Sequence, residues 1–145
     1  MQSRFLTTGL IGVTFAACAI VASPARADVM SYTANLTATQ EVPPNTSKGT
    51  GAADVSYDTT TKKLSWKVTF SDLTGPVTAA HFHGPAEPGK NAAVVVPIPG
   101  TASPFEGSAT LTDAQAAELA GGKWYVNVHT AANKGGEIRG QVMKK

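Results

Sequence analysis

The chain has 145 residues, with twelve Lys or Arg against ten Asp or Glu, a net charge of +2, three His and a single Cys. Its longest basic runs are Lys62-Lys63 and Lys144-Lys145, so it lacks the positive patch that nucleic-acid binding requires. One cysteine excludes an internal disulfide, and any metal site must draw on nitrogen, oxygen or thioether donors.

The first 27 residues read as an export signal. Arg4 supplies a short positive region, residues 5–22 are largely apolar, and Ala25-Arg26-Ala27 is a small-x-small cleavage site. Cleavage after Ala27 leaves 118 residues beginning at Asp28, with ten basic and ten acidic side chains, and a periplasmic or secreted location is expected. The apolar run is long enough to cross a bilayer, but the Ala-Arg-Ala ending favours removal, after which no membrane contact is expected. Cys18, after Phe15-Ala16-Ala17, offers a lipoprotein site as a lesser alternative that Phe15 fits poorly.

Beyond the signal, residues 32–39 predict a first strand, with Tyr32, Ala34, Leu36 and Ala38 on one side. Pro43-Pro44 ends it, because consecutive prolines cannot donate to a ladder. Ala53, Val55 and Tyr57 alternate with polar residues in a second strand, and residues 58–62 read as a turn. Leu64, Trp66, Val68 and Phe70 alternate with Ser65, Lys67 and Thr69 in the third, so the pair predicts a hairpin with one buried face. Residues 77–83 follow as a strand and residues 84–90 as a Gly/Pro loop. Two further strands are expected over residues 93–98 and 105–111. Thr112 and Gln115 fit a capping box, opening a short helix that runs to about Ala120 and stops at Gly121-Gly122. The last strands cover residues 123–130 and 137–143. About eight short strands with one helix over residues 112–120 predict a single all-β domain spanning residues 28–145. Its expected form is an antiparallel Greek-key β-sandwich or flattened barrel. Trp66, Val68, Phe70, Phe82, Trp124, Val126 and Val128 are its expected core.

All three histidines lie in two of these strands. His81 and His83 are two apart, so they leave the same face of their strand while Phe82 leaves the other. In the strand holding His129, Trp124, Val126 and Val128 form the apolar face, and Tyr125, Asn127 and His129 the opposite one. If the two strands meet, three imidazoles converge without disturbing the core. Three neutral imidazoles suit copper or zinc, and the order of divalent-metal affinities favours copper, with zinc second. The bland alternative is three hydrogen-bonded histidines with no ligand. Metal-bound histidine needs an acceptor behind it, for which Asn127, Glu137 or a backbone carbonyl are candidates. No nucleophile elbow or paired-carboxylate motif marks a hydrolase, and no catalytic residue is assigned.

Three segments, quoted as they stand, resemble the CHRD domain, found in chordin and in bacterial secreted proteins. They are Leu36-Thr37-Ala38-Thr39-Gln40-Glu41-Val42-Pro43-Pro44, Ala79-Ala80-His81-Phe82-His83-Gly84-Pro85-Ala86, and Tyr125-Val126-Asn127-Val128-His129-Thr130 with Gly135-Gly136-Glu137-Ile138-Arg139-Gly140-Gln141. They fall in order along nearly the whole exported chain. In chordin the domain belongs to an extracellular protein that binds growth factors, which implies, as an alternative to metal binding, a non-catalytic module for a protein or surface. The order of His81, His83, His129 and Arg139 is also similar, at the level of architecture, to copper-zinc superoxide dismutases. There, a His-x-His strand and a later histidine bind copper and a following strand carries an arginine. This chain departs from that pattern by having no histidine to bridge to zinc, no zinc cluster after Gly84 and no disulfide. Arg139 has two readings, an anion-holding group beside the metal or, more commonly for such residues, an ion pair with Glu137 on the same face.

Overall fold

A computed structural model describes residues 28–145. The export signal and Cys18 lie outside the described residues. The described chain is all-β with one short helix. The strands are β1 (Val29–Thr37), β2 (Thr50–Asp58), β3 (Lys63–Ser71), β4 (Val77–His83), β5 (Val94–Ile98), β6 (Phe105–Thr110), β7 (Tyr125–Thr130), β8 (Ile138–Gln141) and a two-residue β9 (Met143–Lys144). Helix α1 (Asp113–Ala120) lies between β6 and β7. Its start is the capping box read from the sequence: Thr112 Oγ1 accepts from the Gln115 amide, and Gln115 Oε1 accepts from the Thr112 amide.

One antiparallel sheet runs β5-β4-β7-β8-β1-β2-β3-β6, with β9 alongside β1. Its end strands β5 and β6 approach each other, so the sheet curls into a nearly closed barrel. β1, β2 and β3 form a meander, closed between β2 and β3 by a turn in which Asp58 Oδ1 accepts from the amides of Thr60 and Thr61. The order then breaks sequence, as a Greek key requires: β6 returns to β3, while β4 lies on the far side between β5 and β7. Closure leaves little unpaired edge.

Inward-facing residues alternate along each strand and fill the barrel. Trp66, Val68, Phe82, Trp124, Val126 and Val128 are all buried, as expected. Trp66 and Phe82 meet edge-on with centroids 5.3 Å apart. Their strands are not neighbours, so this contact crosses the interior and ties one wall to the other. Phe82 also packs on Trp124. Phe70 departs from expectation: it is half-buried, tilted against Phe105 near the end of β3 and not enclosed by the barrel. Gly84 is required where it stands, because a β-carbon there would overlap the Trp124 indole.

β7 carries a second departure. Alternation predicts one exposed face, yet five of its six residues are buried. The loop after β4 lies across the outer face and is pinned there. Ala86 N–H donates to Lys123 O, Gln141 Nε2 donates to Ala86 O, and Tyr125 Oη exchanges hydrogen bonds with the backbone of Ala92. The segment after β1 closes the other side, where Asn45 Nδ2 donates to Glu137 O and Asn91 Nδ2 donates to Val42 O. The polar face holding the histidines is therefore largely an interior.

Candidate metal centre

β4 and β7 are hydrogen-bonded neighbours, the juxtaposition that alternation alone left open. Their register sets His81 opposite Asn127, His83 opposite Tyr125 and Ala79 opposite His129. Asn127 is in turn opposite Arg139 of β8. His81, Asn127 and Arg139 thus form one cross-strand row, with His83 and Tyr125 beside it and His129 diagonal to His81. All of them leave the outer face.

The three imidazoles converge on this face. One ligating nitrogen from each of His81, His83 and His129 lies within 4.8 Å of the others, and the group could hold a metal ion. His81 Nδ1 and His129 Nε2 are 3.2 Å apart. The far sides of two rings are anchored: His83 Nδ1 is 2.9 Å from Ala92 O, and His129 Nδ1 is 2.9 Å from Lys134 O. A backbone carbonyl can only accept, so both Nδ1 atoms carry the proton and both Nε2 atoms keep their lone pairs for the common space. Backbone carbonyls fill the supporting role that metal-bound histidine needs. Burial, then the neighbouring His129 and His83, push the proton affinity of His81 below the ordinary imidazole value. Burial does the same to His83, against the opposing hydrogen bonds from Ala92 and Asn127. Both rings are thus biased toward the neutral form that ligates. His81 and His129 also line an open recess with Thr78, Ala79, Ala131 and Lys134, giving small molecules access to the cluster.

Of the three supporting candidates, the backbone carbonyls alone stand behind the rings; Asn127 lies on the ligating side, its Oδ1 3.0 Å from His83 Nε2 and 3.0 Å from His129 Nε2. Glu137 does not stand behind any histidine. It is fully buried, and its carboxylate accepts from Ser47 Oγ, Thr74 N, Thr74 Oγ1 and Thr130 Oγ1. Burial alone would raise its pKa; the hydrogen bonds from Ser47, Thr130 and Thr74 outweigh that and hold it at about 2. The expected Glu137–Arg139 ion pair is corrected as well. Arg139 is buried and donates through Nη1 to Asn91 Oδ1 and through Nη2 to Lys90 O, with its guanidinium 3.4 Å from the Tyr125 ring centroid. Its hydrogen bonds bolt the loop after β4 over the site. The Tyr125 ring also stacks parallel to His83, at 4.8 Å between centroids. Following strand order, Tyr125 sits between the arginine and the histidine and fixes the plane of the latter ring.

Glu41 escaped the sequence reading. It is buried under the loop ahead of β8, against Gly136, whose φ of 132° and missing side chain make the room. Its Oε1 has no hydrogen-bond partner. Burial raises its pKa to about 7, opposed by the nearby Arg139 charge, the Val42 amide and the side chain of Asn127. It stands in Gln40-Glu41-Val42-Pro43-Pro44, but nothing in that local pattern says that the carboxyl is buried.

The CHRD domain family model matches residues 32–142, which is nearly all of the described barrel. The chain belongs to the CHRD domain family. No curated protein and no solved structure matches it.

Proposed function

We propose that this chain is exported, cleaved after Ala27, and binds a single copper ion through His81, His83 and His129, in copper handling or redox chemistry. One observation carries the reading: three imidazole nitrogens within 4.8 Å of one another, two of them on rings whose opposite nitrogens are held by backbone carbonyls. An all-nitrogen and oxygen donor set without thiolate suits copper(II), and the affinity order places copper above zinc. The recess beside His81 and His129 leaves a side open for water or an exogenous ligand.

Equilibrium dialysis of the tag-free protein lacking residues 1–27 tests this. One copper per chain is expected, and His81→Ala and His129→Ala should each abolish tight binding while leaving the far-UV spectrum unchanged. Neither side chain fills the barrel, so the fold does not need them. Protons compete for the same nitrogens, so affinity falls on acidification; since burial lowers the proton affinity of His81 and His83, the loss sets in below the ordinary imidazole range near 6.5. If the wild type and His81→Ala bind copper alike, the protein- or surface-binding module is the reading to keep.

A further inference from the structure

We infer that Asn127 is a fourth copper ligand, through Oδ1, and that Glu41 is the residue that aims it. The inference rests on the copper reading above and goes beyond it by fixing the donor set as three nitrogens and one amide oxygen.

The spacing comes first. His81 Nδ1, His129 Nε2, Asn127 Oδ1 and His83 Nε2 follow one another in an arc, with successive separations of 3.2, 3.0 and 3.0 Å. In a four-coordinate site with bonds of about 2.0–2.1 Å, neighbouring ligand atoms lie roughly 2.8–3.4 Å apart, from square to tetrahedral geometry. Three successive spacings fall in that window, and the widest imidazole separation, up to 4.8 Å, would close on the ion; the amide oxygen stands beside the ligating nitrogens and not behind them.

Lone-pair accounting gives the second argument. Ala92 O and Lys134 O each face an Nδ1 and can only accept, so with neutral rings both Nε2 atoms present lone pairs to Asn127. An asparagine facing two acceptors would ordinarily turn its NH2 toward them. Here the amide nitrogen has a use elsewhere: the Asn127 side chain helps lower the pKa of the buried Glu41 carboxyl, the effect of an N–H turned toward it. Glu41 Oε1 is buried and has no hydrogen-bond partner, so an N–H turned toward it is what that atom lacks. Oδ1 is left facing two nitrogen lone pairs at 3.0 Å with no proton between them. Asn127 and His83 are buried, and buried polar atoms are seldom left so; a cation at the shared focus satisfies them together with the half-buried His129.

The deciding experiment is a crystal structure of the wild-type protein loaded with copper(II) alone. Asn127 Oδ1 within about 2.4 Å of the ion is expected. Copper held by the three imidazoles with Oδ1 more than about 3 Å away overturns the inference and leaves the copper reading standing. No copper at the histidines overturns both. Affinities from competition titration test Glu41 independently of the structure. With Asn127, Glu41→Gln should weaken copper(II) binding several-fold, because glutamine offers an N–H of its own and no longer fixes the amide. With Asn127→Asp, itself expected to ligate and to move the copper electron-spin resonance spectrum, the same Glu41→Gln should strengthen binding, since no amide needs aiming and a like charge is removed. A Glu41→Gln effect of equal sign and size in both backgrounds would show that Glu41 acts only on the fold.

Discussion

Two buried carboxylates, Glu41 packed against Gly136 and Glu137 next along the chain, have opposite environments. Glu137 is surrounded by donors from Ser47, Thr74 and Thr130, and Glu41 is not. The folded pKa of Glu137 lies below its unfolded value, so its contribution to stability is present above about 4.5 and is lost as pH falls toward about 2. Glu137→Gln should therefore cost on the order of 2–3 kcal/mol at pH 7 and much less near pH 2, measured by urea unfolding at the two pH values. An equal cost at both would mean that shape, not charge, is what the site requires. Glu137 was legible in the sequence as a candidate partner of the histidines. That it instead ties the β1–β2 and β3–β4 connections to β7 and β8 depends on Ser47 and Thr74, residues distant along the chain and unremarkable in their own surroundings.

Strands and their faces were the most readable level. Alternation in β3 placed Leu64, Trp66 and Val68 inside, and the Thr112–Gln115 pattern gave the start of α1. Phe70 obeys the same alternation but lies where β3 runs out past the enclosed part of the barrel, so periodicity assigned its direction correctly and its burial incorrectly. The two aromatic residues should then separate in energy. Trp66→Ala removes a ring that bridges the barrel to Phe82 and should cost about 3–5 kcal/mol, whereas Phe70→Ala should cost less than half of that, by chemical denaturation. Equal losses would show that Phe70 belongs to the core after all. In β7, alternation named the correct faces for Tyr125, Asn127 and His129, but not that the outer face is roofed. The roof is the Gly/Pro loop after His83, whose composition announces a loop and not where it lies.

For the protein as a whole, the histidine cluster joins β4 to β7 toward the β5 end of the sheet order, so an ion bound there would add a cross-link that the unfolded chain lacks. Binding to the folded state alone stabilises by about 2.7 kcal/mol at a free ligand concentration of a hundred times Kd. Copper should raise the melting temperature of the wild type by several degrees and leave that of His81→Ala unmoved; a shift of equal size in both would place the binding elsewhere. Intact mass of the protein recovered from the exported fraction checks the other expectation: a chain starting at Asp28 is expected, and a lipidated Cys18 or a retained Met1 would overturn cleavage after Ala27.

Taken by itself, the sequence determined which residues alternate, hence which ones form strands, and hence that His81, His83, Asn127 and His129 all leave the side away from the apolar face. Those are consequences of the fixed two-residue period of an extended chain, and they hold wherever the strand is placed. The tertiary structure decided that β4 pairs with β7, in a register that sets His81 across from Asn127, and that the Ala92 and Lys134 carbonyls arrive behind His83 and His129. Pairing and register between segments more than forty residues apart follow from how the whole barrel closes and how its loops are pinned, and a local period carries no information about either.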